Sequence, residues 1–563
     1  MARLTRLFVH CLVISVAASL GFAHAATLYV GAGEAYTTIQ AGINAAANGD
    51  VIIVRDGTYT GTGNRDIDFK GKAIHLKSEN GPAACTVNAN GTSSEFHRGF
   101  YLHSHETITS VIEGFTITGG YTSQGGAICC SSAGPTIRDN TIVANTATGA
   151  GGGIYSISKP SPVIIGNTFA QNNASWGGGV GCNGSEDAIL SANIVIANNA
   201  ENSGGGFDSV YGMRCTMISN SVSGNTVGHG GGGGIYAYGT ETVISDNLVN
   251  DNTADSGGGA SVNGLFLSNT VTNNMARVGG GISAGAGSIT HSRIIGNSAT
   301  LGGGLSCRES TIEIRNCILA RNNATGGGGA FLREASAEIT NCSMEGNTAS
   351  AFGGGCYFFD YRPSQLFRNC ILWNNRASYG NQIALRTGIL PPEVTVEHSD
   401  IAGGEADVGV EPVWSVTWGE GNIDTDPLFA DPANGDFHVK SKYGRWDPKA
   451  NGRAGAWVVD DVTSPCINGG DPASDYSNQP QPSRRIEMGA YGNTPEASKG
   501  KWVIPGDADG NSRVDVLDLI FLRNRLGQNV DTADNWKADV NEDGRINVLD
   551  LIYARNRLGT SRP

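Results

Sequence analysis

Behind short glycine runs, an apolar residue returns to the same slot through most of the chain. The runs are Gly151-Gly-Gly-Ile154, Gly177-Gly-Gly-Val180, Gly204-Gly-Gly-Phe207, Gly232-Gly-Gly-Ile235 and Gly257-Gly-Gly-Ala260. They continue as Gly279-Gly-Gly-Ile282, Gly302-Gly-Gly-Leu305, Gly327-Gly-Gly-Ala330 and Gly353-Gly-Gly-Cys356, with a looser early copy at Gly125-Gly-Ala-Ile128. Successive copies lie 22 to 28 residues apart, a period that implies stacked repeats. A polar column keeps the same register: Asn140, Asn167, Asn193, Asn220, Asn247, Asn269, Asn316, Asn341 and Asn369, with Ser292 as the exception. A second column follows at Asn145, Asn172, Asn225, Asn252, Asn274, Asn297 and Asn374. Between them lie short β-prone pieces, so each repeat predicts two or three short strands separated by Gly and Asn turns.

One such coil cannot bury its apolar side alone, whereas stacked coils share a core one strand thick. Parallel stacking sets equivalent residues about 4.8 Å apart, close enough for a column of Asn side chains to hydrogen-bond along its length. Crossover handedness favours a right-handed turn. The fold class is therefore all-β: a right-handed parallel β-helix solenoid. At its start, Ile39 and Ile43 in Thr37–Asn48 have helical spacing and Gly49 supplies a stop. A short helix there would cover the open sheet edge.

Composition sharpens this reading. Glycine is 82 of 563 residues and charge only 16%, a composition that suggests disorder unless it is periodic. Net charge is −14, which argues against nucleic acid as a partner. Arg3 and Arg6, an apolar run to about Phe22 and Ala23-His-Ala25 predict a secretory signal peptide over residues 1–25. No other run is long and apolar enough for a membrane span. The mature chain is expected to be secreted, extracellular or held at a cell surface. Eleven cysteines remain after cleavage, and Cys317, Cys342 and Cys370 each follow an Asn in successive repeats, so a stacked small-residue column is expected for these three. The expected organisation is a β-helix over 26–395, terminal irregular coils and a cap over 396–500, and a separate module over 501–563. Trp414, Trp418, Trp446 and Trp457 fall in the cap region and are expected to form its core, with a carbohydrate-stacking platform as the alternative.

The last module carries the strongest chemical signal. An acidic twelve-residue loop occurs twice, from Asp507 to Asp518 and from Asp539 to Asp550, each followed by nearly the same helix-like tail. Side-chain oxygens at loop positions 1, 3, 5, 9 and 12, with a carbonyl at 7, suit a hard oxygen-seeking cation. The candidate ligands are Asp507, Asp509, Asn511, the Arg513 carbonyl, Asp515 and Asp518, then Asp539, Asn541, Asp543, the Arg545 carbonyl, Asn547 and Asp550. Two calcium ions are expected. In the first loop Ser512 stands where a turn glycine is usual; the second keeps Gly544. Loop-then-helix, duplicated and ending in Asp, resembles the type I dockerin of bacterial cellulosomes. That resemblance implies a small α-helical module and a cohesin-like receptor. The family's partner-reading positions fall on Val516, Leu517, Val548 and Leu549, flanked by arginines repeated in both copies.

The glycine repeats resemble those of secreted β-helix proteins, polymorphic outer-membrane proteins among them, and the fold is that of pectate lyases. A polysaccharide lyase or glycoside hydrolase is one expectation, and a non-catalytic surface or adhesion protein displayed through the dockerin is the other. The polygalacturonase and epimerase motif sets are missing. The remaining catalytic candidates are Arg308, Glu309, Arg333, Glu334, Asp360 and Arg362, expected on one face in three consecutive coils and able to meet a sugar carboxylate. Screened surface pairs are the plainer account of these residues. Tyr155, Tyr211, Tyr236 and Tyr238 are candidate stacking rings, and His97, His103 and His105 form a cluster without a repeating metal spacing.

Overall fold

The computed structural model describes residues 25–563 apart from 185–186, 211–213, 240, 360–364, 387–392, 411–414, 482, 484, 501–505, 510, 512, 529–534, 542–544 and 561–563. The expected signal peptide, Tyr211, Asp360, Arg362, Trp414, Asp543 and Gly544 therefore lie outside the described residues or, for the signal, almost wholly so. Strands pair in parallel from coil to coil. One 14-stranded sheet runs from Gly57–Thr60 to Asp400–Ile401, and a shorter one of seven strands from Tyr121–Gln124 to Met275–Val278. A third, of 27 strands, comprises two columns. The columns join because Ala260–Leu267 and Ile282–Thr290 each run through the corner that other coils interrupt.

Inward positions form apolar ladders. In one, Ile112, Ile137, Ile164, Leu190, Met217, Ile244, Phe266 and Ile289 stand in register and are all buried. A facing ladder holds Ile117, Ile142, Phe169, Val195, Val222, Val249, Val271 and Ile294. Each rung buries large side chains worth roughly 1.5–3 kcal/mol apiece. The glycine runs are steric necessities. Gly151, Gly177 and Gly204 have φ of 68°, 63° and 61°, and a Cβ there would meet the carbonyl three residues on at 2.2–2.7 Å. The third glycine of each run is equally tight: at Gly153 a Cβ would lie 2.5 Å from the Gly179 carbonyl.

The asparagine column is buried as expected from Asn140 to Asn269, each amide bonding the next, as in Asn193 Nδ2 to Asn220 Oδ1 at 3.0 Å. From there the register differs from the sequence reading. The slot passes to Ser292, then to Cys317, Cys342 and Cys370, and then to Ser399. Each of the three thiols donates to a carbonyl of the preceding coil, at 3.3 Å from Ile289, 3.5 Å from Ile314 and 3.3 Å from Ile339. Asn316, Asn341 and Asn369 stand one residue earlier, at φ of 52°, 50° and 56°. The residue type drew them into the column, but their left-handed turn position puts them outside it. The second column is fuller than the sequence reading: Asn198, Asn322 and Asn347 belong to it, and its last member is Asn375 rather than Asn374.

Helix α1, Ile39–Ala45, is capped by the Thr38 hydroxyl and buries Ile39 and Ile43. Gly42 lies so close to the first two strands that a Cβ would meet Val30 Cγ2 at 2.6 Å. At the other end, parallel pairing continues through Ser415–Trp418, with Trp418 packed on the solenoid core. Residues 426–500 then fold back along the outer face of the 14-stranded sheet. Phe437 and Ala490 pack on Ile318 and Ala320, and Val439, Cys466 and Met488 pack on Ile371. The displaced asparagines hold this segment. Asn316 Nδ2 donates to the carbonyls of Ala490 and Gly492, Asn341 Nδ2 to that of Glu487, and Asn369 Oδ1 accepts from Asp471 N. Trp446 and Trp457 cross edge-on in a two-stranded hairpin within it.

Candidate functional site

The terminal loops are built around their following helices. Helix α2, Val516–Arg523, begins with a capping box: Asp515 accepts from Leu517 N at 2.7 Å and Asp518 Oδ2 accepts from Asp515 N at 2.8 Å. Asp518 Oδ1 reaches back to Ala508 N and Asp509 N at 2.6 and 3.0 Å. Loop positions 9 and 12 are thus fixed as helix cap and third helical residue, which aims the Asp518 carboxylate into the loop while Asp515 caps the helix. Asp509 and Asn511 each accept from the backbone two residues on, bending the loop into successive turns. Ligand oxygens of Asp507, Asp509 and Asp518 lie within 4.8 Å of one another. Burial pushes the Asp518 carboxyl above its ordinary value, and neighbouring Asp509 adds to that. An all-oxygen cluster of this spacing fits a calcium ion.

The second copy repeats the device. Helix α3, Val548–Arg555, is capped by Asn547, and Asp550 closes its capping box while accepting from Asn541 N at 3.2 Å. The module's core is small: Ala508, Val514, Leu522, Ala538, Ile546 and Ala554. So small a core needs reinforcement of the kind a bound metal gives. Outside it, Val516 and Leu517 are 63% and 52% exposed and Val548 and Leu549 60% and 52%, so two like apolar pairs face outward.

The body's candidates separate. Arg308 and Arg333 are in register on adjacent strands, as expected. Arg308 is exposed with no carboxylate partner among the described residues, whereas Arg333 pairs with its own neighbour Glu334 at 3.3 Å. Glu309 and Glu334 occupy left-handed turn positions beside them. Tyr155 is only 3% exposed, so it fills the wall and is closed to a ligand; Tyr238 is partly exposed beside Tyr236. His97 lies between Asp66 and Glu95, at 2.6 and 3.0 Å, and His103 stacks on Tyr101.

The sequence reading missed a buried polar set under the folded-back segment. Glu487 is pushed up to about 8 and Asp400 to about 7, both chiefly by burial, with Cys466 Sγ 3.1 Å from Asp400. Nearby, His438 is stacked on Tyr491 at 3.6 Å and bonded to Asp436, which also meets Arg445. Asp400–Cys466 and His438–Tyr491 join positions more than fifty residues apart, and no local motif marks them.

The body is a β-helix and its C-terminal module a paired-loop helical domain, and parts of each match family models. Residues 72–242 match the right-handed β-helix region, and residues 505–559 match the dockerin type I domain. Residues 411–470 match a family described as disaggregatase related. A dockerin's partner is a cohesin, and dockerins of this type bind calcium. A crystal structure of pectate lyase Pel9A aligns over 84% of this chain and 97% of its own, at 12% identity and a TM-score of 0.28. No curated protein matches the chain. No helix among the described residues is long and apolar enough to cross a membrane.

Proposed function

We propose that the protein is an exported β-helix protein that engages extracellular polysaccharide while its dockerin, folded around two calcium ions, anchors it to a cohesin-type receptor. The observation carrying the anchoring role is the pairing of the Asp507–Asp509–Asp518 oxygen cluster with exposed Val516 and Leu517, repeated at Val548 and Leu549. The ligand set is Asp507, Asp509, Asn511, Asp515 and Asp518 with the Arg513 carbonyl. The second loop contributes Asp539, Asn541, Asp543, Asn547 and Asp550 with the Arg545 carbonyl. Each ion would neutralise an acidic loop and fix the angle at which its helix leaves. The arginines at 523, 525, 555 and 557 flank the two apolar pairs and suit an acidic rim on the receptor.

A catalytic body is the second reading, favoured by the unpartnered Arg308 in register with Arg333. Two arginines on adjacent rungs suit the carboxylates of a uronic-acid polymer. Calorimetric titration of the full chain with calcium tests the module, and two binding events are expected. Heat from no site would remove the calcium reading. Incubation with uronic-acid polymers tests the second reading: absence of unsaturated products and of new reducing ends on every polymer would exclude a lyase or hydrolase.

A further inference from the structure

The solenoid's corner is notched where two coils lack a connecting loop. Elsewhere the two columns of the large sheet are separated by connections such as residues 132–135 and 158–162. Ala260–Leu267 and Ile282–Thr290 pass straight through. They do so on Gly264 and Gly287, at φ of 92° and 144°. A Cβ on the first would meet the Thr242 carbonyl at 2.7 Å, and one on the second the Gly264 carbonyl at 2.2 Å. No other residue fits, so the notch is fixed by backbone packing.

A cavity of about 430 Å³ opens there. Its floor is apolar, from Val243 and the partly exposed Leu265, and its two ends are carboxylates, Glu241 and Glu313, with the Ser288 hydroxyl between them. Glu313 is oriented by Ser288 at 3.3 Å and by Arg315, and Glu241 is 3.7 Å from Arg214. Both arginines lie outside the lining, and no cation lines the cavity. Three rungs separate Val243, two residues beyond Glu241, from Glu313 along the register through Leu265 and Ser288, about 14 Å at the spacing of paired strands. That length suits a short oligosaccharide.

Building on the polysaccharide reading above, we infer that this notch binds a neutral, hydroxyl-rich glycan. The C–H face of a pyranose ring would lie on Leu265 and Val243, and its hydroxyls would donate to Glu241, Glu313 and Ser288. Carboxylates at both ends accept hydroxyl donors strongly and repel a uronate. This separates the notch from the arginine pair at Arg308 and Arg333, which has the opposite preference.

Affinity electrophoresis of the full chain through gels holding β-glucan, xylan, mannan or polygalacturonate tests the assignment. Retardation by at least one neutral polymer is expected, weakened about tenfold or more by Ser288→Trp, which fills the notch, and by Glu313→Gln, which keeps its shape. Arg308→Ala/Arg333→Ala should migrate as wild type in the neutral gels, and matching melting temperatures would establish that the variants fold. Retardation by polygalacturonate alone, relieved by the arginine variant and untouched by Ser288→Trp, would overturn the notch while keeping the wider polysaccharide reading. Free migration in every gel would overturn both.

Discussion

Replacing Asn220 by Ala removes one rung from the buried amide column, and its cost follows from the bonds it makes. Asn220 Nδ2 donates to Leu190 O and to Asn247 Oδ1, both at 2.9 Å, and Asn220 Oδ1 accepts from Asn193 N and Asn193 Nδ2, both at 3.0 Å. Asn193 Nδ2 keeps a second acceptor at Ile164 O, so the groups left poorest are the Asn193 N–H and the Leu190 carbonyl. Each buried group without its partner costs about 1–3 kcal/mol, giving roughly 2–6 kcal/mol for Asn220→Ala. The control is Asn199→Ala in the neighbouring coil. That amide also stacks on a neighbour, Asn173 at 2.7 Å, but it is exposed, so its loss should stay within about 0.5 kcal/mol. Because solenoid coils are stabilised by their immediate neighbours, the damage should be local. Hydrogen exchange read by mass spectrometry is the suitable assay: amides around 193, 220 and 247 should lose protection in Asn220→Ala and keep it in Asn199→Ala. Equal effects of the two substitutions would refute the reasoning that burial gives the column its weight.

Three further outcomes follow from the same contacts. Glu487 and Asp400 have raised pKa values, about 8 and about 7, so the folded state holds protons that an unfolded carboxylate releases near pH 4. The contribution of these two groups to the packing of residues 426–500 should therefore be full below about pH 4 and fall by a few kcal/mol as pH rises from there to about 8. Glu487→Gln should flatten that loss in thermal unfolding, and a pH-independent transition would contradict the assignment. All eleven described cysteines are free and buried, and burial pushes Cys85, Cys215 and Cys307 to about 12. A thiol reagent should thus titrate almost none in the native protein and all of them in denaturant. Asp518→Ala removes a proposed calcium ligand and the capping-box partner of Asp515 together, so calcium affinity of the first loop should fall at least tenfold by calorimetry while the second loop still binds.

The repeat was legible because each coil obeys the same local rule, a left-handed glycine before an inward aliphatic residue, and the rule recurs often enough to fix its period. Register was legible only while residue type and geometry agreed. At Asn316, Asn341 and Asn369 they part, because Cys317, Cys342 and Cys370 satisfy the same carbonyls with a thiol and free the preceding asparagines to hold the returning segment. That return depends on contacts more than one hundred residues apart, such as Arg293 to Gly435 O, and leaves no local signature. The notch was equally hidden, since the absence of a loop reads in sequence as a slightly shorter repeat. The acidic terminal loops were the opposite case: residue types, spacing and helix caps are all local, and the capping boxes at Asp515 and Asn547 stand where the repeated spacing puts the start of each helix.

Binding of the full chain to a panel of type I cohesins, with calcium and with chelator, tests the anchoring role most directly. Binding in calcium should disappear with chelator. It should survive Val516→Asp/Leu517→Asp or Val548→Asp/Leu549→Asp alone and be lost when both pairs are changed. Failure to bind any cohesin in calcium, or binding indifferent to the chelator, would contradict the account.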